Sequence, residues 1–567
     1  MRNLNNPKVP LKVQPRSGFD KSHFHLFTAT VGNIVPILID EVIGNSKVNL
    51  RVNIAASMPP LAADTFMKTD LCVEAFFVPL RLCSASFEPW FCQRSDPAVG
   101  NAGVSDWPAF LPIGQVDLSL HPGTGDSQPA LDTLFGHRGL AEYLGWRASA
   151  LGAAIFNFNL MPFIAYHLCW DWYYRNNNVQ KSCFAEVDST FDINDSDQMY
   201  VAAVLPHLFN RHQPVIGSTL NNDKQWNFWL LADNISLFSL RKRNFDFDYF
   251  TNALPQVSLG GNQEVMISPG GTDGKFSIAA LRAANSLQIF NERNMLSSPR
   301  YIDTLKQRFG GHPSAGVAQM PILLGSARYN VYTKGSVISA NNINNYGPPS
   351  ATNRNPFSYI AGGVQGNAYA SGSDFIIDNF IADEPGYIIV NASLVPTVTY
   401  SNGCDRLFTR YRDQSITDMA THALQNVGNQ PIYQYELTGK IGTTDVSQPV
   451  FGYTDRYSDF MIMNDRISGL FQKGMALDMF VSQRYITYSD SPTISDSFLK
   501  IPSDYLDSVL INAYSPGDTS LKFGYWAQVG FDYKVSMPLA EYSIPSLQDP
   551  AYEHGETITI HRGGFRL

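Results

Sequence analysis

His23 and His25 are the first residues in the chain whose type and spacing could do chemistry: two apart on a strand, they fall on one side and could chelate a metal ion. No neighbouring carboxylate or cysteine completes a ligand set, so the same spacing describes an ordinary polar strand face. The acidic run DINDSD at 192–197 has carboxylates enough for calcium. It lacks the glycine and terminal glutamate of the helix–loop–helix site, and a solvated loop accounts for it. GGTDGKF at 270–276 resembles a phosphate cradle one residue too short, with Phe276 where a metal-binding hydroxyl is required. A hairpin tip fits that sequence better. There is no G-x-S-x-G nucleophile elbow. The six cysteines, Cys72, Cys83, Cys92, Cys169, Cys183 and Cys404, form no C-x-x-C pair and read as free thiols in a reducing compartment. The sequence nominates no catalytic residue, no metal ligand and no cofactor.

A different kind of chemistry is concentrated at 451–471, FGYTDRYSDFMIMNDRISGLF. Tyr453, Tyr457 and Phe460 supply apolar faces, while Asp455, Arg456, Asp459, Asp465 and Arg466 supply both signs of charge within reach of planar guanidinium forks. Rings mixed with paired charges suit a surface that meets another protein.

The elements that must position this segment are strands. Charged residues are only 16% of the 567, aromatics 13%, and 42 glycines and 34 prolines punctuate the chain, a balance that points to turn-rich β structure and to surface covered by partners. IVPILIDEVI, VNLRVNIAA and LCVEAFFVPL are strand signals between 34 and 80, and FIIDNFIADEPGYIIVNASLVPTVTY from 375 sets the turn DEPG between two apolar runs. The middle of the chain is looser. FNFNL reads as a strand leading through Pro162 into a helix, with Phe163, Tyr166, Trp170 and Tyr173 as an aromatic stripe packed in the core. The uncharged stretch 149–170 that contains it is long enough to span a bilayer, but Asn157, Asn159, Pro162 and His167 interrupt it, and no membrane is expected. FSIAALRAANSLQIFNERNM predicts a second helix with Ala280, Ala283, Leu287 and Phe290 on one face, and YIDTLKQRFG a third.

The expected organisation is one β domain over 1–567. It has a basic extended arm at 1–22, main strands within 23–82 and 375–540, insertions of loops and helices at 88–374, and a tail at 541–567. The arm stands out electrostatically: Arg2, Lys8, Lys12, Arg16 and Lys21 face a single acid, Asp20, in a chain of net charge −9. The N-terminus has proline and charge where a secretory signal needs an apolar centre, so export by that route is not expected.

The segment at 451–471 resembles the FGYQERYAEYR…SRISG stretch of the major capsid proteins of the Microviridae, small icosahedral single-stranded DNA phages, and of their gokushovirus-like members in particular. Other blocks resemble the same family in the same order. RSGFDKSHFHLFTATVGNIVPILIDEV at 16–42 is similar to its FD-S-H…EV pattern, and DTFMKTDLCVEAFFVPLRL at 64–82 to its FFVPxRL block. LMPFIAYHLCWDWYYRNNN at 160–178 resembles its YYRD-x-N helix, and RKRNFDFDYFTNALP at 241–255 its DYFTSALP. LRAANSLQIFNERNMLSSPRYIDTLKQRFG at 281–310 falls where the family has LR…RYxExLxxxFG. There are departures too. Only 256–280 separates the last two blocks, where the family carries a long insertion that builds protrusions at the threefold axes; either the protrusion is small, or variable material lies at 182–240 or 336–373. EVIGN replaces E-V-L-P-G-D, and the tail HGETITIHRGGFRL is longer than usual.

The resemblance implies a mainly β protein, an eight-stranded antiparallel jelly roll with long inserted loops and a few short helices. It further implies a virion protein of which about sixty copies form a T=1 icosahedral shell around circular single-stranded DNA in a bacterial cytoplasm. Implied partners are the chain itself, the DNA genome, a small basic DNA-binding virion protein, scaffolding and pilot proteins, and a host surface receptor met by outer loops. On this reading Arg2, Lys8, Lys12 and Arg16 lie near DNA, and Tyr453, Arg456, Tyr457 and Arg466 lie at an inter-subunit contact. A carbohydrate-binding β-sandwich is the rival from another class, since Trp, Tyr and Asn are plentiful, although it lacks the export signal such proteins need. A cytosolic hydrolase is a third reading, with no constellation of residues behind it.

Overall fold

The computed structural model describes residues 16–83 except 60, 62–64 and 67, then 113–117, 139–146, 155–183, 239–256, 319–337, 364–409, 429–441, 449–506 and 524–539, with single positions between. The strands are β1 (Ser17–Asp20), β2 (His23–Ala29), β3 (Val35–Val42), β4 (Ser46–Ser57), β5 (Thr69–Pro79), β6 (Ile113–Asp117) and β7 (Ile155–Asn159). They continue with β8 (Ile322–Asn330), β9 (Tyr332–Val337), β10 (Val364–Ala382), β11 (Gly386–Pro396), β12 (Asn429–Tyr433), β13 (Val450–Asp455) and β14 (Tyr525–Met537).

Two antiparallel sheets hold the fold. One is ordered β1-β14-β4-β10-β9, with β2 also on β14, and the other β3-β11-β5-β8. The chain changes sheet on passing from β3 to β4, from β4 to β5 and from β10 to β11, the wrapping of a jelly roll. These two sheets hold ten of the described strands where eight are expected. β2 continues β1 along one edge of β14, and the chain crosses between the sheets at Val331, leaving β8 on β5 and β9 on β10.

The two sheets are buried differently, and the sequence shows why. β4 and β14 alternate strictly, with Val48, Leu50, Val52 and Ile54 facing Val529, Phe531, Tyr533 and Val535 in the core and the intervening residues, most of them polar, outside. β5 and β11 are buried on both faces. Leu71, Val73, Ile388 and Val390 join the inter-sheet core, while Phe76, Val78, Tyr387 and Ile389 pack against the helix Met161–Cys169. Each fully enclosed Leu, Ile, Val or Phe contributes about 1.5–3 kcal/mol of transfer free energy.

That helix follows β7 through Pro162, as its sequence predicts, and Phe163, Tyr166 and Trp170 are buried. Beyond Trp170 the turn widens to a π-helix, Trp170–Tyr174, closed by Arg175 N donating to Trp170 O at 3.1 Å. The extra residue rotates the stripe, so Tyr174 is enclosed and Tyr173 lies at the margin, donating to Pro321 O at 2.7 Å.

The segment 241–245 threads between elements. Arg243 N donates to Gly32 O at 2.7 Å, Ile34 N to Arg241 O at 2.9 Å and Phe245 N to Leu499 O at 3.0 Å. Its basic run is structural. Arg243 forks onto Glu74 at 2.9 and 3.0 Å. Arg241 is ion-paired with Asp233 and donates through Nε to His167 Nδ1 at 2.7 Å, while His167 Nε2 donates to Leu237 O at 2.7 Å. Burial and the Arg241 charge hold His167 neutral, well below the usual histidine range.

Jelly-roll strands lie outside the expected spans. β8 and β9 fall within 88–374, and β10 starts at Val364. β8 is a weakly buried edge strand whose large aliphatics stop at Leu324, and the inward side chains of early β10 are Ala368 and Ala370, so neither shows an apolar alternation along its length. The small residues answer a close approach: a Cβ on Gly325 would lie 2.1 Å from Ile376 O, and one on Gly372 2.0 Å from the Tyr329 ring.

Of the helix expected over 276–295, Arg282, Ser286, Leu287 and Ile289 are described and helical, with Leu287 exposed. The residues at 192–197, 270–276, 301–310 and 541–567 lie outside the described residues. Cys72, Cys83, Cys169, Cys183 and Cys404 are free, the first four buried; Cys92 lies outside the described residues. His23 and His25 each have a carbonyl partner of their own, Lys21 O at 2.8 Å and Ile37 O at 2.9 Å. Among the described residues no helix is long and apolar enough to cross a membrane.

Candidate inter-subunit surface

The segment 451–471 belongs to the long connection between β11 and β14, not to either sheet. Its base is β13, paired with β12 and bridged on the other side to Leu254, where Leu254 N donates to Tyr453 O at 2.7 Å and Tyr453 N returns the bond at 2.8 Å. Phe451 anchors it, with ring centroids 4.8 Å from Phe498 and 6.1 Å from Phe250 in a separate core with Tyr400, Ile432 and Leu437. Beneath this hairpin Glu436 is enclosed, accepting from Tyr433 N at 2.9 Å and Tyr249 OH at 3.1 Å, with Arg406 4.0 Å away. Burial pushes its carboxyl up to about 7, against the opposing pull of Arg406.

A tight turn follows β13. Thr454 Oγ1 donates to Ser458 Oγ at 3.0 Å and Ser458 Oγ to Asp455 O at 2.6 Å. Gln430 clamps the turn from β12, accepting from Tyr457 N and donating to Asp459 Oδ1, both at 2.9 Å. Tyr457 holds φ of 67°, a left-handed conformation that costs a side-chain-bearing residue about 1–2 kcal/mol.

The four residues singled out from sequence take distinct places here. Tyr453 is half-buried on β13, and Arg456 lies 5.5 Å over the ring of Tyr457, which is itself only 8% exposed. Arg466 is apart from them, exposed, bridged in parallel to Tyr400 and paired with Asp405 at 2.6 Å. Arg16, the one described member of the basic arm set, is exposed and donates to Asn45 O; Arg2, Lys8 and Lys12 lie outside the described residues.

Phe460, noted from the sequence for its apolar face, opens a run whose other members, Met461, Ile462 and Met463, sequence reasoning passed over. Phe460, Met461, Ile462 and Met463 are 50%, 63%, 45% and 84% exposed, an uninterrupted apolar ridge, with Leu470 and Met475 exposed further on. Leu407 and Phe408, beside the Asp405 that holds Arg466, are exposed as well. The signal was in the letters: FMIM between Asp459 and Asn464 is a charge-free run too long for an ordinary surface.

A jelly roll whose long inter-strand connection is pinned at its base and presents apolar side chains outward is the build of a structural subunit that docks on others. The chain belongs to the family described as Capsid protein (F protein), which it matches over residues 8–547. It is 22% identical over 634 residues to the capsid protein VP1 of Chlamydia phage 1, covering 95% of this chain and 97% of that one. It is 23% identical over 570 residues to the capsid protein VP1 of Bdellovibrio phage phiMH2K, with the same coverage. Similarity to the capsid protein VP1 of Spiroplasma virus 4 is 22% over 276 residues, about half of each chain. The protein is thus a structural component of a virion, of the microvirus type that its sequence blocks resemble, and its role is to associate into a shell.

Proposed function

We propose that about sixty copies close into a T=1 icosahedral shell around circular single-stranded DNA, assembled in the cytoplasm of a host bacterium, and that the chain has no catalytic activity of its own. A closed shell needs each subunit to bury several patches against copies of itself. The exposed ridge Phe460–Met463 is the observation that carries this reading for the 451–471 segment. Arg456, with Tyr457 beneath it, together with Tyr453 and Arg466, flanks the ridge and sets its register against the neighbour. Purified protein viewed by negative-stain microscopy gives uniform shells on this reading; monodisperse monomers would refute it. Arg456→Glu should lower particle yield and heat resistance, and unchanged particles would remove Arg456 from the contact.

Sixty subunits of charge −9 enclosing a polyanion require local attraction to phosphate. The arm with Arg2, Lys8, Lys12 and Arg16 supplies part of it from the inner wall, and a small basic virion protein supplies the rest. Deleting 2–16 should reduce DNA retention more than shell formation; the reverse order would sink this role. Scaffolding and pilot proteins during assembly and a host receptor on outer loops complete the partner set implied by the resemblance.

A further inference from the structure

The outward face of the six-stranded sheet exposes several aromatic side chains. Strand register places Thr28, Trp526, Ser57, Tyr369 and Tyr332 in one row across β2, β14, β4, β10 and β9. The next rows are Leu26, Gln528, Ala55 and Ser371, then Phe24, Gly530, Asn53 and Ser373. None of these residues carries a charge. Phe24 is 69% exposed, Tyr332 55% and Tyr369 47%. Tyr332 and Tyr369 lie ring to ring at 5.9 Å, and successive rows are about 7 Å apart.

Cations rim this uncharged centre. Lys334 stands one pair beyond Tyr332 along β9, opposite Asn367. At the other end Arg51 faces Phe375, its guanidinium 5.2 Å over that ring, and Lys47 lies further along β4. Lys534 is there too, paired with Asp532 at 3.2 Å. The basic arm leaves from this same sheet, since β1 is its edge strand.

We propose that this face binds single-stranded nucleic acid, unpaired bases stacking on Phe24, Tyr369 and Tyr332 while Lys334, Arg51 and Lys47 meet the phosphates. The inference rests on the reading of the chain as a shell around single-stranded DNA and assigns this face to the inner wall. A π-surface without charge, bordered by Lys and Arg, complements a strand whose bases are apolar plates and whose backbone is anionic. A facing copy of the same sheet would bring its Lys and Arg rim against an identical rim.

The test uses the purified full-length chain, with an oligothymidylate and an abasic deoxyribose-phosphate chain of the same length as probes. The wild type should prefer the thymidylate by about five- to a hundredfold. The double variant Phe24→Ser, Tyr369→Ser should lose that preference while its thermal unfolding and the salt dependence of binding stay unchanged, and Tyr369→Trp should keep it. Equal affinity of the wild type for both probes, in protein that still forms shells, overturns this inference and leaves the capsid reading standing. Absence of shells from the wild type would remove the capsid reading itself. A double variant that keeps the preference but loses shells marks the face as a contact between copies, and displacement of the thymidylate by maltohexaose marks a saccharide site; either overturns the proposal.

Discussion

The guanidinium carbon of Arg241 lies 4.5 Å from the centroid of the Trp170 ring, with both side chains enclosed. Trp170 Nε1 meanwhile donates to Lys242 O at 3.1 Å, so the indole holds the basic run by its face and by its edge. Arg241 N also donates to Tyr166 OH at 2.8 Å, and that hydroxyl donates to Ile34 O at 2.7 Å. One stripe of a short helix therefore fixes the thread 241–245 against β3 and, through Arg243 and Glu74, against β5.

Arg241→Met should accordingly destabilise the unassembled subunit by about 3–5 kcal/mol, because Asp233 is left buried without its counter-ion and His167 without its donor. Urea unfolding followed by tryptophan fluorescence measures this. Arg241→Lys should recover less than half of the loss, since an ammonium cannot serve His167, Asp233 and the indole face together. A cost below about 1 kcal/mol for Arg241→Met would mean that the site relaxes around the lost charge.

Glu436 makes stability depend on pH in a defined direction. Its folded-state carboxyl sits at about 7, above the ordinary 4.5, so the folded chain binds the proton more tightly than the unfolded chain does. Stability from this group is present in full below about 4.5 and is lost as pH rises through about 7, by roughly 3 kcal/mol in all. Glu436→Gln should flatten the difference in urea midpoint between pH 5 and pH 8 relative to wild type. An unchanged slope would place the titration elsewhere.

Gly325→Ala tests the packing of β8 against β10. The new methyl would sit 2.1 Å from the Ile376 carbonyl oxygen, a backbone atom that moves only if the strands part. A loss of about 1–3 kcal/mol in thermal unfolding is expected. No change would show that the edge strand shifts freely.

The strands were legible where burial writes a pattern. β3, β4, β5 and β11 read directly as apolar runs or alternation, and the DEPG turn fell where β10 meets β11. β8 and early β10 were not, because Gly325 and Ala327 in β8 and Ala368, Ala370 and Gly372 in β10 stand where large alternating side chains would have marked a strand. The aromatic stripe was legible up to Trp170, after which a π-helical turn that no periodicity announces moved burial from Tyr173 to Tyr174. At the 451–471 segment the tyrosines drew attention through size and charge neighbours. Gln430, twenty-seven positions before Tyr457 in the chain, decides that Tyr457 turns inward, and a partner at that distance leaves no local trace.

That inward turn directs the last prediction to the ridge instead of the rings. Met463 is 84% exposed, so Met463→Asp removes little packing within the subunit and should shift its unfolding by less than about 0.5 kcal/mol. In a shell the same carboxylate would be buried against a neighbour without a partner, at a cost of several kcal/mol per subunit. Sedimentation should therefore find folded Met463→Asp subunits that fail to assemble, whereas Met463→Leu should assemble as wild type. Because every copy carries the defect, even a partial loss at each contact accumulates around a closed shell. Met463→Asp particles of normal yield and heat resistance would take the ridge out of the interface.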